Sequence, residues 1–406
     1  MSRSRRSASV AESPAIGTSS DDFIAPCSTI EPQPAAPPAA SPVPAFALAL
    51  SGGGFRATLC GIGAARFLAD AGLLSRLRFS SSVSGGSVAN GILACGYRAV
   101  ADLGFTGQAF DTHVLDPLVA RISRSSLEWK LIRGLPGTVG HRTRTDVLAD
   151  ALDEWWFGGR TLDALPADVR WIFNATNLTT GVGFGFERDV VGDYVVGWLS
   201  SAQLPVQLAR AVAASAAVPG AFAEVVIDAP FPCADGRVAR LLDGGVYDNS
   251  GLQPLDDVTD ACLIAVNAGG TFQVGRLGRV PLVRDLRRAN AILYKQSTGL
   301  RREFMVDRFQ AWEQATANGQ PPPSFGRQGV LFSLGTSMEA TDEWLEGRPE
   351  HAEWREPLAL VPTTFDRFNA ELCERLIYRG WWLTGATLSR YHRELLPATL
   401  PAWRAR

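Results

Sequence analysis

Apolar residues in this chain gather into short runs that end on glycine, and the spacing of the residues after each run predicts the elements. A continuous apolar run, Ala45 to Leu50, meets Ser51-Gly52-Gly53-Gly54, and from Thr58 to Leu74 apolar residues recur at helical spacing, with Gly72 near the end. The pattern is strand, glycine turn, helix. A second unit comes directly after it: Leu77 to Val83 reads as a short buried strand, Ser84-Gly85-Gly86 as a sharp turn, and Ser87 to Tyr97 as a helix built from small residues. Two such units in succession predict a parallel sheet. Farther on, Val169 to Phe173 and Cys262 to Val266 read as buried strands, and Arg144 to Phe157, Leu282 to Phe304 and Thr364 to Tyr391 as helices. No glycine or proline interrupts Leu300 to Ala317, after which Asn318-Gly319-Gln320-Pro321-Pro322-Pro323 marks a loop before the apolar run Val330 to Leu334. The fold class expected is α/β, a mostly parallel central sheet flanked by helices, with helical additions and no internal repeat.

Composition adds a boundary. Residues 1–42 are poor in large apolar side chains, and Pro32 to Pro44 (PQPAAPPAASPVP) favours extended polyproline conformations, so this stretch reads as a disordered leader before one domain over 43–400. Arg3, Arg5 and Arg6 are not succeeded by the apolar core of a signal peptide. The most apolar long window, Val206 to Val226, contains Arg210, Pro219 and Glu224 and makes a poor membrane span. With 39 basic and 41 acidic residues the formal charge is -2, so no global pull toward nucleic acid is expected. Lysine occurs only at Lys130 and Lys295, an arginine preference that reads as coding bias. Six cysteines at 27, 60, 95, 233, 262 and 373 form no C-x-x-C pair and have no histidine at zinc-site spacing; neither a disulfide framework nor a metal is expected, and a reducing, cytoplasmic setting fits.

The three glycines of Ser51-Gly52-Gly53-Gly54-Phe55-Arg56-Ala57 lie between a strand and a helix start. There, backbone N–H groups without side chains around them can turn to one point and, with the helix dipole, hold an anion or a developing oxyanion. Gly52-x-Gly54-x-x-Ala57 also matches the dinucleotide fingerprint, but that reading needs an acid at the end of the second strand, which here is Phe79-Ser80-Ser81-Ser82; the nearest acid, Asp70, belongs to the preceding helix. That strand runs instead into Ser82-Val83-Ser84-Gly85-Gly86-Ser87, similar to the nucleophile elbow G-x-S-x-G, whose flanks must be small where strand and helix pass close together. Such a turn lifts Ser84 to a helix N-terminus, although a Ser/Gly-rich turn can also do no more than join two elements. A serine needs a base. None of His113, His141, His351 and His392 sits in a strand-end motif, whereas Leu241-Leu242-Asp243-Gly244-Gly245 puts a carboxylate at the end of an apolar run with its flanks clear. An ordinary Asp-Gly turn is the alternative reading. As a base near neutral pH, Asp243 would need burial to raise its pKa.

Together these residues resemble the patatin-like phospholipases: Gly52-Gly53-Gly54-Phe55-Arg56 as oxyanion loop, Ser84 in the elbow, and Asp243-Gly244-Gly245 for the base. Ala214-Ser215-Ala216-Ala217-Val218-Pro219-Gly220-Ala221-Phe222 and Ala175-Thr176-Asn177-Leu178-Thr179-Thr180-Gly181 resemble further segments of that family, the similarity running from about 45 to 270. Ser82 and Ala57 depart from the pattern, each standing where it has glycine. The resemblance implies a patatin-like fold and hydrolysis of a fatty-acyl ester in a phospholipid or other lipid. It implies Ser84 as nucleophile, Asp243 as base in a dyad without histidine, an oxyanion hole from Gly52, Gly53, Gly54 and Gly85, and no metal or cofactor. Arg56 would brace the glycine loop or contact a lipid phosphate, and Asn249, with Asp248, would support the base. Asn174-Ala175-Thr176 and Asn177-Leu178-Thr179 match the glycosylation sequon but read as turn and strand-end polar groups. Arg276 to Arg302 gathers eight cations around an apolar helix face, either a solvated side or a contact with anionic headgroups at a membrane periphery. Two other readings stand beside the hydrolase: a patatin-fold lipid binder without turnover, and a dinucleotide-binding oxidoreductase.

Overall fold

The computed structural model describes residues 27, 44–127, 130, 142–233, 238–270 and 281–403, with the side chains of 281–284, 286, 287 and 290 left aside. The expected leader, Cys27 apart, and His141, Arg276 and Arg279 lie outside the described residues. Both strand-turn-helix units form as expected. Strand β1 (Ala45–Leu50) leads into α1 (Gly54–Asp70) and β2 (Leu77–Val83) into α2 (Gly85–Asp102); each helix begins directly at its glycines rather than a few residues later. β1 pairs in parallel with β2 and with β9 (Ala261–Asn267), β9 with β10 (Gly329–Ser333), and β2 with β3 (Arg170–Asn177).

The sheet is mixed rather than parallel throughout. From β3 an antiparallel meander continues through β4 (Gly183–Glu187), β5 (Val190–Asp193) and β6 (Gly197–Ser200), completing the order β10-β9-β1-β2-β3-β4-β5-β6. A branch, β7 (Val225–Asp228) against β8 (Val238–Asp243), joins the far end of β3, also antiparallel. The short helix α3 (Leu208–Ser215) precedes that branch, and α4 (Pro281–Ala317) and α5 (Ala370–Tyr391) come after it.

The C-terminal helix is a layer of the core, not an appendage. Every residue of α1 from Gly54 to Ala69 is buried, because α2, α5 and the sheet all press on it. Glycine sets how close α5 comes: a Cβ on Gly63 would lie 2.1 Å from the Ile377 carbonyl oxygen, and one on Gly380 2.1 Å from that of Cys60. Trp344, Trp381 and Phe67 fill the space beside this crossing. Among the described residues no helix is long and apolar enough to cross a membrane.

The cysteine expectation is corrected. Cys27 and Cys233 are joined as a disulfide, their Cα atoms 5.9 Å apart, while Cys60, Cys95, Cys262 and Cys373 remain free. Two neighbouring strand ends bring the pair together: the Cys27 N–H donates to the Tyr194 carbonyl at 2.7 Å and the Cys233 N–H to that of Val196 at 2.9 Å. A partner 206 residues away is invisible in linear spacing. Because disulfides persist in oxidising surroundings, the expectation of a reducing compartment loses the ground it stood on.

Candidate active site

The glycine loop is held from three directions. Beyond β1, the Ser51 hydroxyl accepts the Ala268 N–H at 2.8 Å, and the Phe55 N–H donates to the Thr364 carbonyl at 2.9 Å. Gly53 and Gly54 have φ of 147° and 61°, and a Cβ on either would meet a carbonyl oxygen, that of Ala268 at 2.4 Å or of Thr364 at 2.3 Å. Only glycine fits both the turn and the space. Arg56 is buried and spends its guanidinium on this frame, donating to the Ala268 carbonyl at 2.9 Å, to the Thr363 hydroxyl at 3.0 Å and to the Val361 carbonyl. It braces the loop, and its donors are not turned to a lipid phosphate.

Gly52 must be set apart from the other oxyanion candidates. Its N–H donates to the Asn249 carbonyl at 3.0 Å and is not open to a substrate. Among the described residues nothing takes the N–H groups of Gly53, Gly54 or Gly85. The two segments that carry them touch: a Cβ on Gly85 would sit 2.1 Å from the Gly54 carbonyl oxygen and 2.6 Å from its nitrogen.

Ser84 takes the strained geometry of an elbow, with φ 52° and ψ -119°, between the end of β2 and the start of α2. The strain is held by the neighbours. The Ser84 N–H donates to the Ser215 hydroxyl at 2.9 Å, and that hydroxyl donates to the Asn174 carbonyl at 2.6 Å. Gly86 is obligatory, since a Cβ there would lie 2.3 Å from the Leu50 carbonyl oxygen. Ser82, the departure from glycine, does more than fit. Its hydroxyl donates to the Ile172 carbonyl at 3.0 Å and accepts from Ser87 at 3.0 Å and from the Asn90 amide at 3.0 Å, a buried polar network beneath the elbow.

The base arrives by a route the linear pattern conceals. β2 ends with Val83 opposite Asn174 of β3, and β8, running the other way along the same strand, ends with Asp243 opposite Ala175. The two strand ends therefore meet head to head, one residue apart on β3. Asp243 and Ser84 are both buried, and the Ser84 hydroxyl stands beside the Asp243 carboxyl, near enough to lower its pKa. The Gly245 N–H donates to Asp243 Oδ1 at 2.7 Å, while the Asp243 main chain is fixed by Thr176 and Ala217. Burial pushes the carboxyl from 3.8 up to about 6, although the Gly245 N–H and the Ser84 hydroxyl both pull the other way.

The supporting residues divide. Besides accepting from Gly52, Asn249 donates through its side-chain amide to the Tyr294 hydroxyl of α4, which also stands near Gly269. Asp248 accepts from the backbone N–H groups of Ser250, Leu252 and Gln253 at 2.8 to 2.9 Å, so it builds the adjoining turn rather than serving Asp243. Ser215 and Tyr294 are site neighbours the sequence did not single out. Ser215 lies inside a segment that resembles the family, but Tyr294 sits mid-helix with no local signal. Asn174 and Asn177, the sequon asparagines, are tied to Ser81, Ser82 and Asp193.

The described histidines have other partners. His392 is buried against the Gly329 carbonyl at 3.1 Å, His351 stacks on Trp354 at 4.0 Å, and His113 is exposed. Asp70, the acid nearest the fingerprint glycines, is paired with Arg66 of its own helix and accepts the Trp381 indole N–H at 2.9 Å, so it is not placed to hold a ribose. Among the described residues no cluster of histidine, cysteine and carboxylate could hold a metal ion.

Comparison with known proteins sets this geometry in a family. The model of the patatin-like phospholipases matches residues 48–256, half of the chain, and this stretch contains Ser84, Asp243 and the glycine loop. A search of curated proteins finds no match. Human GIVD cytosolic phospholipase A2 is similar in structure, with a TM-score of 0.51 and 12% identity over 87% of this chain and 60% of the human one. Its complex with methyl gamma-linolenyl fluorophosphonate gives 0.47 and 14% over the same shares, and VipD from Legionella pneumophila 0.37 and 14% over 86% and 68%. At such identities the likeness is one of fold, and the chain spans less than two thirds of the human protein's length. The family match carries more weight: the chain belongs to the patatin-like phospholipases.

Proposed function

We propose that this chain is a serine lipid acyl hydrolase that cleaves fatty-acyl esters of phospholipids or related lipids through an acyl-enzyme on Ser84. One observation carries the reading: a serine in a strained elbow stands beside a buried aspartate whose carboxyl burial raises to about 6, next to backbone N–H groups that nothing else uses among the described residues. Asp243 takes the proton of Ser84 as Oγ attacks the ester carbonyl, and the N–H groups of Gly53, Gly54 and Gly85 hold the oxyanion. Collapse of the tetrahedral species expels the alcohol, which receives the proton from Asp243. Water, deprotonated by the same carboxylate, then attacks the acyl-enzyme and restores Ser84. A carboxyl raised to about 6 is a stronger base than an ordinary aspartate yet is still ionised at neutral pH.

The test is a fluorophosphonate probe together with cleavage of p-nitrophenyl esters and phospholipids. Label is expected on Ser84, and Ser84→Ala and Asp243→Asn should each lower kcat/KM by roughly a thousandfold or more, the double variant falling little further, because the two act in one proton transfer. Label on another serine, or ester cleavage surviving Asp243→Asn, would refute the dyad. A folded protein with neither label nor turnover would be a lipid binder that does no chemistry.

A further inference from the structure

Helix α4 brings a tyrosine to the edge of the sheet that carries the site. Toward the end of the helix, Met305 and Phe309 pack with Ala47, Ala49 and Leu263, and the Phe309 ring lies against Gly329, the first residue of β10. Toward its start, the Tyr294 hydroxyl lies against Gly269, just past the last residue of β9, where a Cβ would be 2.6 Å away. The helix therefore runs opposite to β9 and β10, and Tyr294 stands outside the carboxyl ends of the strands. Open α/β sheets bind their ligands on that side.

The contacts of Tyr294 lead to the dyad. Its hydroxyl accepts the side-chain amide N–H of Asn249. The side-chain oxygen of Asn249 is wedged between the glycine loop and the turn after β8, 2.3 Å from where a Cβ on Gly52 would lie and 2.7 Å from one on Gly245. Those same positions are 3.2 Å from the Ser84 Cβ and 3.0 Å from Asp243 Oδ1. One side chain thus separates Tyr294 from both members of the pair.

Burial first, and then the Asp243 carboxylate, push the Tyr294 hydroxyl up to about 12, so it keeps its proton at neutral pH. Among the described residues nothing accepts that proton. A hydroxyl that already accepts one hydrogen bond is polarised and donates a second more strongly. The guanidinium of Arg56, the other candidate for a lipid phosphate, is spent on the glycine loop.

We propose that Tyr294 touches the substrate, its hydroxyl donating to a phosphate oxygen of a phospholipid whose ester lies at Ser84. The inference rests on the hydrolase reading, which supplies the lipid, but it can fail separately, because binding is measured by calorimetric titration of the Ser84→Ala protein, where no chemistry occurs. That protein should bind dihexanoylphosphatidylcholine more tightly than dihexanoylglycerol, which lacks the phosphate. Adding Tyr294→Phe should weaken binding of the phosphatidylcholine about tenfold and that of the glycerol less than about twofold, as loss of one hydrogen bond to a charged group requires. Equal weakening for the two ligands would mean that Tyr294 only holds Asn249 in place, and it overturns the proposal. Unweakened binding of the phosphatidylcholine overturns it as well, as does tighter binding of the glycerol before Tyr294 is changed. The expected pattern of binding in a protein whose unaltered chain cleaves no ester counts against the hydrolase reading alone.

Discussion

At the scale of single residues, the site joins a catalytic requirement to a stability cost. The Asp243 carboxyl titrates near 3.8 in the unfolded chain and at about 6 in the folded one. As pH rises from about 4 to 6, the unfolded chain releases this proton while the folded protein keeps it, so stability falls through that window by about 3 kcal/mol and stays lower above it. Activity runs the opposite way, since only the carboxylate accepts the serine proton, and kcat/KM should rise through pH 6 to a plateau. Asp243→Asn removes the ionisation, so at pH 8 the inactive variant should unfold at a higher temperature than the native protein in a calorimetric scan. Ser82 carries the converse expectation. Replacing it with glycine, the residue the family pattern has there, takes one hydrogen bond from each of Ser87 and Asn90, which keep Ser215 and Ser80 as partners, and should cost about 1 to 2 kcal/mol of stability, read from denaturant unfolding, without raising the rate. Both small departures are visible in the sequence; that Ser82 knots three elements together is not, because a hydroxyl's partners depend on which strand comes to lie beside it.

At the scale of elements, the two strand-turn-helix units are legible: β1 and β2 form over the residues expected, β1 as a continuous apolar run and β2 as Leu77, Phe79 and Val83 around three small serines, each ended by its glycine turn. The C-terminal helix, expected from Thr364, begins at Ala370, where Asn369 caps it at 2.7 Å. The intervening residues have another duty, since the Val361 and Thr364 carbonyls turn toward Arg56 and Phe55. The meander β4 to β6 and the strand that carries the base do not read as an antiparallel system in the sequence. All are short, the meander strands each contain glycine, and the places of β4 and β8 are set by their pairing with β3 rather than by their own pattern. Gly54→Ala tests how closely the late segment clamps the loop. At φ 61° and 2.3 Å from the Thr364 oxygen, the added Cβ should cost about 2 to 4 kcal/mol and sharply slow labelling of Ser84, both measurable on purified protein.

For the whole molecule, the disulfide between Cys27 and Cys233 is a covalent constraint that spans 206 residues. Titration of the denatured, unreduced protein should find four thiols rather than six. Reduction, or Cys233→Ser, should lower the unfolding free energy by about 3 kcal/mol, the usual contribution of a loop-closing disulfide, and shift the thermal midpoint down. Fold class, the glycine loop and the elbow at Ser84 are within reach of the sequence because each is a local pattern. The disulfide, the head-to-head meeting of β2 and β8 and the contact of Tyr294 with Asn249 join distant segments, and no local pattern records them.

The brace on the glycine loop also sets a schedule for how the protein is made. Arg56 donates to a carbonyl 305 residues farther along the chain. At roughly 5 to 20 residues per second, that acceptor is synthesised about 15 to 60 s after the arginine it must meet. Throughout that interval the glycine loop of the nascent chain lacks this brace. Until residue 361 has left the ribosome, the turn at Gly53 and Gly54 is therefore held only by the neighbours already made.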